Sequence, residues 1–278
     1  MLISVVNRTT TPDEEVQTVL RSINRQLRED FEPYWSFGAT LRLEGFFGPL
    51  NKRQLSELRG DAILYLYDKV DVDNALGYHD TSARGIPYGF VFTELSKQLN
   101  EPWSVTLSHE ALELVGDAQA NLLVQGPHPE KPGHEVFHWY EMCDAVQSES
   151  YKIDEVAVSN FLLPSYFTQS EEPGMRNDFL GRKDAHGKTL RSFGVKPGGY
   201  IGFYDPSSKT NDQWSSPGDE LARKRMVAKR HALAGRSMIR KLSEGNYSLE
   251  QRHHISLQKL AEIPGKTKSI SKEAHSQD

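Results

Sequence analysis

Residues 102–116 read Pro-Trp-Ser-Val-Thr-Leu-Ser-His-Glu-Ala-Leu-Glu-Leu-Val-Gly, and this run constrains the fold more than any other. Pro102 suits a helix start, where a missing N–H costs nothing, and Gly116 suits a helix end. Val105, Leu107, Ala111, Leu114 and Val115 then line an inner face, with His109, Glu110 and Glu113 together on the other side. Strand-like segments precede it. Ile3 to Val6 opens the chain, 39–43 alternates, and 61–67 is a continuous apolar run. Residues 87–92 read as an edge strand, since Pro87 starts them and Gly89 interrupts them. Residues 46–60 and the Asp- and Gly-rich stretch 70–86 read as loops. Pro12, Glu14 and Glu15 open an earlier helix whose apolar stripe is Val16, Val19, Leu20, Ile23 and Leu27. Residues 156–164 are extended, and 198–204 form a closing strand whose glycines permit a bend or close approach.

The chemistry of the central run follows from helical geometry. Positions i and i+4 share a face, so His109 and Glu113 can hold one metal ion while Glu110 addresses its bound water. The pattern is one substitution from H-E-x-x-H, with Glu113 in place of the second histidine. A catalytic zinc uses about three protein ligands and keeps one position for water. Asp144 and Glu141 are candidates for the third ligand, because each lies in a short apolar segment where a charge needs a reason. Asp117 is a weaker candidate. An oxygen-rich set lets manganese or iron compete with zinc.

A literal H-E-x-x-H also occurs, at His134-Glu135-Val136-Phe137-His138, with Glu141 three residues on. It follows directly on Pro132-Gly133, and its Val-Phe-His-Trp-Tyr core favours a strand, which would turn Glu135 away from both histidines. The run at 109–113 is therefore preferred. His79, just before the proposed edge strand, is read as orienting substrate or supporting a ligand. Cys143 has apolar neighbours and reads as an inert buried thiol. The glycines at 198, 199 and 202 make no phosphate loop, since no Lys-Ser/Thr follows them.

Composition separates a body from a tail. The 278 residues carry a net charge of −5, but 206–278 hold 14 Lys and Arg against 8 Asp and Glu, leaving 19 against 30 in the first 205. The tail reads as a basic helix from Asp219 to Leu242 and a polar, disordered end. It suits an acidic partner; nucleic acid is not expected, since no recognised motif accompanies the charge. A mean hydropathy of −0.59 suggests that part of the chain is extended or solvated, and no apolar run approaches the roughly 18–20 residues of a membrane helix, so none is expected. One cysteine and a start without a basic and then apolar leader point to the cytoplasm.

The segments Gly77-Tyr78-His79-Asp80, 85–92, 108–113, Glu141-Met142-Cys143-Asp144 and Val158-Ser159-Asn160-Phe161 together resemble a zincin-like metallopeptidase group of bacteria and phages. The resemblance spans residues 1–205. It implies an α+β, zincin-like mixed sheet with an antiparallel edge strand and an active-site helix; the basic helical or disordered C-terminal extension, 206–278, lies outside the resemblance and rests on composition alone. It also implies that His109 binds zinc and Glu110 is the general base. The edge strand would hold an extended peptide or protein substrate by strand pairing, with His79, Tyr88 and Phe90 nearby. The expected function is metal-dependent hydrolysis of a peptide or amide bond. The alternative is an inactive scaffold that binds partners through edge strand and tail.

Overall fold

The computed structural model describes residues 1–46, 60–69, 77–81, 86–98, 100–169, 172 and 174–223. The loop expected over 46–60 lies almost wholly outside them, as do residues 224–278 of the basic tail.

The first half builds a five-stranded mixed sheet. Strands β1 (Leu2–Arg8), β2 (Thr40–Phe46), β3 (Ala62–Tyr67), β4 (Gly77–Thr81) and β5 (Pro87–Phe92) lie in the order β2-β1-β3-β5-β4. The first four in that order are parallel, and β4 alone runs antiparallel. Helices α1 (Asp13–Arg25) and α4 (Trp103–Gly116) cover one face, with two short helices, α2 (Glu32–Trp35) and α3 (Thr93–Gln98), between them in sequence. Ile3, Val5, Leu64, Leu66 and Val91 from the sheet meet Val16, Val19, Leu20, Ile23 and Leu27 from the first helical segment and Leu107, Ala111 and Leu114 from α4. The apolar stripe read from the sequence is thus the one that is buried.

Beyond α4 the chain is antiparallel. Strands β6 (Leu123–Pro127), β7 (Glu135–Trp139), β10 (Tyr200–Asp205) and β11 (Thr210–Ser215) form one sheet, in the order β11-β10-β7-β6. A hairpin of β8 (Ser150–Ile153) and β9 (Val156–Ser159) lies against α4. Its two turn residues, Asp154 and Glu155, have φ of 48° and 64°, the left-handed pair of a tight hairpin that matches strand twist.

Two expectations are corrected. Residues 87–92 are not the edge strand. The edge is β4, inside the stretch read as loop, and β5 lies one strand in. Pro87 is tolerated there because it is the first residue of its strand. The unit does not stop at Asp205, because β11 pairs with β10 along its whole length, from Tyr200↔Ser215 to Asp205↔Thr210. Residues 220–223 then begin a helix at the expected place, with the Asp219 carboxylate accepting the Ala222 N–H at 2.9 Å as an N-cap. Helix α4 is buried on its charged side as well as its apolar one: Ser104 to Val115 are all buried.

Candidate metal centre

Burial of α4 on all sides changes the meaning of its charged residues. His109 is 6 % exposed, Glu110 2 % and Glu113 1 %. Ionised carboxylates persist at such depth only with compensating charge or hydrogen bonds. Two neighbouring elements supply histidine and aspartate. The first is β4. His79 pairs with Gly89 in the β4–β5 ladder, so both point to the face that α4 covers, and Gly89 contributes no side chain there. The second is the 3₁₀ turn Asp144–Val146, which carries Asp144, 2 % exposed, to the same place.

His109, Glu113 and Asp144 converge. His109 Nε2 lies 3.2 Å from Glu113 Oε1 and 3.3 Å from Asp144 Oδ1. A tetrahedral ion with bonds of 2.0–2.1 Å separates its ligand atoms by about 3.3 Å. Charge-assisted hydrogen bonds are shorter, at about 2.7–2.9 Å. The two separations are compatible with an ion among the three ligand atoms. One imidazole and two carboxylates accept zinc, manganese or iron. The backbone N–H of Cys143 donates to Glu113 Oε1 at 3.4 Å, and His79 Nδ1 stands 3.4 Å from Glu110 Oε2.

The helix is fixed in register by a buried relay that sequence reasoning missed. After Arg25 the first helix widens into a π-helical turn, Gln26–Phe31. Gln26 is completely buried there, and its Oε1 accepts the Ser108 hydroxyl at 2.6 Å. Its Nε2 donates to the Ser159 carbonyl at 2.7 Å, and Ser108 Oγ accepts the Ser159 N–H at 3.1 Å. Three elements are thus tied together at the residue before His109. The only sequence signal is a glutamine beside Leu27 at the end of an apolar stripe.

The remaining candidates are elsewhere. Glu141 stays outside the cluster and lines a pocket beside Asp144, with His138, Trp139, Tyr166 and Tyr200. Asp117 is spent on the turn after α4, where its carboxylate accepts the Leu122 N–H at 2.9 Å. Tyr88 and Phe90, expected to bind substrate, point to the sheet face opposite α4, since Val91 between them and Phe92 faces the helix. Phe90 stacks there on Tyr65 at 5.1 Å. Cys143 is buried, with its thiol 3.9 Å from the His109 carbonyl.

Among the described residues, the literal H-E-x-x-H joins no group of ligating side chains. It lies along β7, as its composition suggested. His138 donates through Nε2 to the Pro127 carbonyl at 2.9 Å, while His134 Nε2 faces Asp205 at 3.1 Å. Glu135 is exposed, taking hydrogen bonds from Gln125 and Gln169. Burial pushes the His138 imidazole down to about 4. The unfolded chain takes up this proton near 6.5 and the folded chain does not, so stability falls as pH drops from about 6.5 toward 4. In metal-free protein, His138→Gln removes a loss on the order of 2 kcal/mol between pH 7 and 5. Urea unfolding at the two pH values measures it; an equal loss in both proteins would refute the assignment.

No known protein family and no curated protein matches this chain. Among the described residues, no helix is long and apolar enough to cross a membrane.

Proposed function

We propose that the protein is a metal-dependent hydrolase of zincin type that cleaves a peptide or amide bond. The observation that carries the proposal is the convergence of His109, Glu113 and Asp144 on one buried point beside Glu110. These three residues hold the ion. Bound there, it supplies a Lewis acid that polarises a carbonyl and brings a water's pKa near neutrality.

Glu110 follows His109 on α4 and takes the proton from the attacking water, later returning it to the leaving amine. His79 Nδ1, 3.4 Å from Glu110 Oε2, holds that carboxylate in place. Strand β4 has one neighbour among the described strands, β5, and an extended substrate would pair with its other edge through backbone N–H and C=O groups. The substrate would lie antiparallel or parallel to β4, next to α4. An antiparallel edge strand beside an H-E helix is the arrangement that the sequence resemblance implies, and it supports the zincin reading.

Dialysis against a chelator should abolish turnover of a mixed peptide library, and one equivalent of zinc or manganese should restore it. Turnover that survives chelation at undetectable metal content would contradict the proposal.

A further inference from the structure

The two oxygens of Glu113 face different histidines. Oε1 lies 3.2 Å from His109 Nε2, and Oε2 lies 3.8 Å from His79 Nδ1. His79 Nδ1 is in turn 3.4 Å from Glu110 Oε2. The buried cluster therefore holds two triads that share one residue: His109–Glu113–Asp144 and His79–Glu110–Glu113. A carboxylate that directs its two oxygens to separate sets of ligand atoms is the bridging element of two-ion centres, whose ions stand about 3.5–4 Å apart.

We infer that the chain has a second cation site, formed by His79, Glu110 and Glu113, with Glu113 bridging the two ions. Its side chains are as deeply buried as those of the first, at 2 %, 2 % and 1 %. Its donors, one imidazole nitrogen and two carboxylates, are the same in kind, so it takes the same class of divalent ion. Three carboxylates, Glu110, Glu113 and Asp144, share this interior. One divalent ion offsets only two of their charges when all are ionised, leaving negative charge to attract a second.

The two sites are unequal. The separations in the second triad, 3.4 and 3.8 Å, are wider than the 3.2 and 3.3 Å of the first, and its bridging ligand is already engaged by the first ion. The second ion thus binds more weakly. It also occupies Glu110, which on the reading given above must be free to take a proton. Metal in excess of one equivalent therefore inhibits the enzyme: the first ion activates and the second withdraws the base.

Manganese is a suitable probe, because two Mn²⁺ ions sharing a carboxylate give a spin-coupled electron paramagnetic resonance spectrum. Equilibrium dialysis against Mn²⁺ should load two ions per wild-type chain, with coupling, and one uncoupled ion in His79→Phe. Glu110→Gln provides an independent second variant and should also fall from two ions to one. Thermal melting of each variant without metal checks that it folds. One ion in the wild type, or two in both variants, would overturn the second site and leave the first intact. No ion in the wild type would overturn both. In turnover assays of the wild type, activity should rise with the first equivalent of Mn²⁺ and fall as the second ion loads, while undiminished activity at two ions per chain would refute the role assigned to Glu110 occupancy.

Discussion

Glu110→Gln keeps one ion per chain and loses turnover by about 100- to 10,000-fold, the usual contribution of a positioned base. Glutamine matches glutamate in size, so the 2 % exposed position stays filled and α4 keeps its packing. The amide cannot accept a proton from water at neutral pH, and that is the one property the account requires. Metal binding through His109, Glu113 and Asp144 does not use residue 110. The loss should fall on kcat rather than KM, because proton transfer belongs to the transition state. Elemental analysis beside steady-state peptide hydrolysis separates the terms. A variant with one ion and activity within a few-fold of wild type would remove Glu110 from the chemistry.

Gly199→Ala weakens metal binding by about 10- to 100-fold without touching a ligand, the range seen when ligand supports are lost. A Cβ at Gly199 would sit 2.2 Å from the Ala145 carbonyl oxygen and 2.6 Å from its carbon, with the Asp144 carbonyl oxygen at 3.1 Å. All three are backbone atoms, so no side chain can swing aside. The turn Asp144–Val146 must move, and Asp144 moves with it. The turn is also stitched to this segment, since the Lys196 N–H donates to the Ala145 carbonyl and Gln147 Nε2 to the Gly198 carbonyl. Ligand distances tolerate about 0.2 Å. Overpacking of this kind also costs about 1–3 kcal/mol of stability. Isothermal titration with zinc and urea unfolding measure the two effects; unchanged affinity together with unchanged stability would show that the close approach is not needed.

How much of this was legible in the sequence differs from element to element. The first helix could be read because its stripe has 3.6-residue spacing and one face is polar. The ends of α4 could be read from Pro102 and Gly116. Its environment could not. A helix buried on every side shows no clean amphipathic pattern, so the sequence grouped His109, Glu110 and Glu113 on one side without showing that this side is buried. The edge strand was mistaken because Pro87 and Gly89 carry edge signals, while Gly77–Thr81 has too little apolar character to look like a strand. Pairing with β5 holds β4 in place, and that is a long-range property. Strand β11 was missed for the same reason: Thr-Asn-Asp-Gln-Trp-Ser is polar, and β10 supplies its order. Asp144 was placed among the candidate ligands by its charge in an apolar segment. Nothing in the spacing separated it from Glu141; the direction of a three-residue turn does so in space.

On the proposed reading, His109, Glu113 and Asp144 hold one metal ion. The most direct test is metal content by elemental mass spectrometry, on untagged protein at limiting metal, with His109→Ala and His138→Ala alongside. One ion per chain is expected in the wild type, one in His138→Ala and none in His109→Ala. Full occupancy in His109→Ala, or loss confined to His138→Ala, would contradict it.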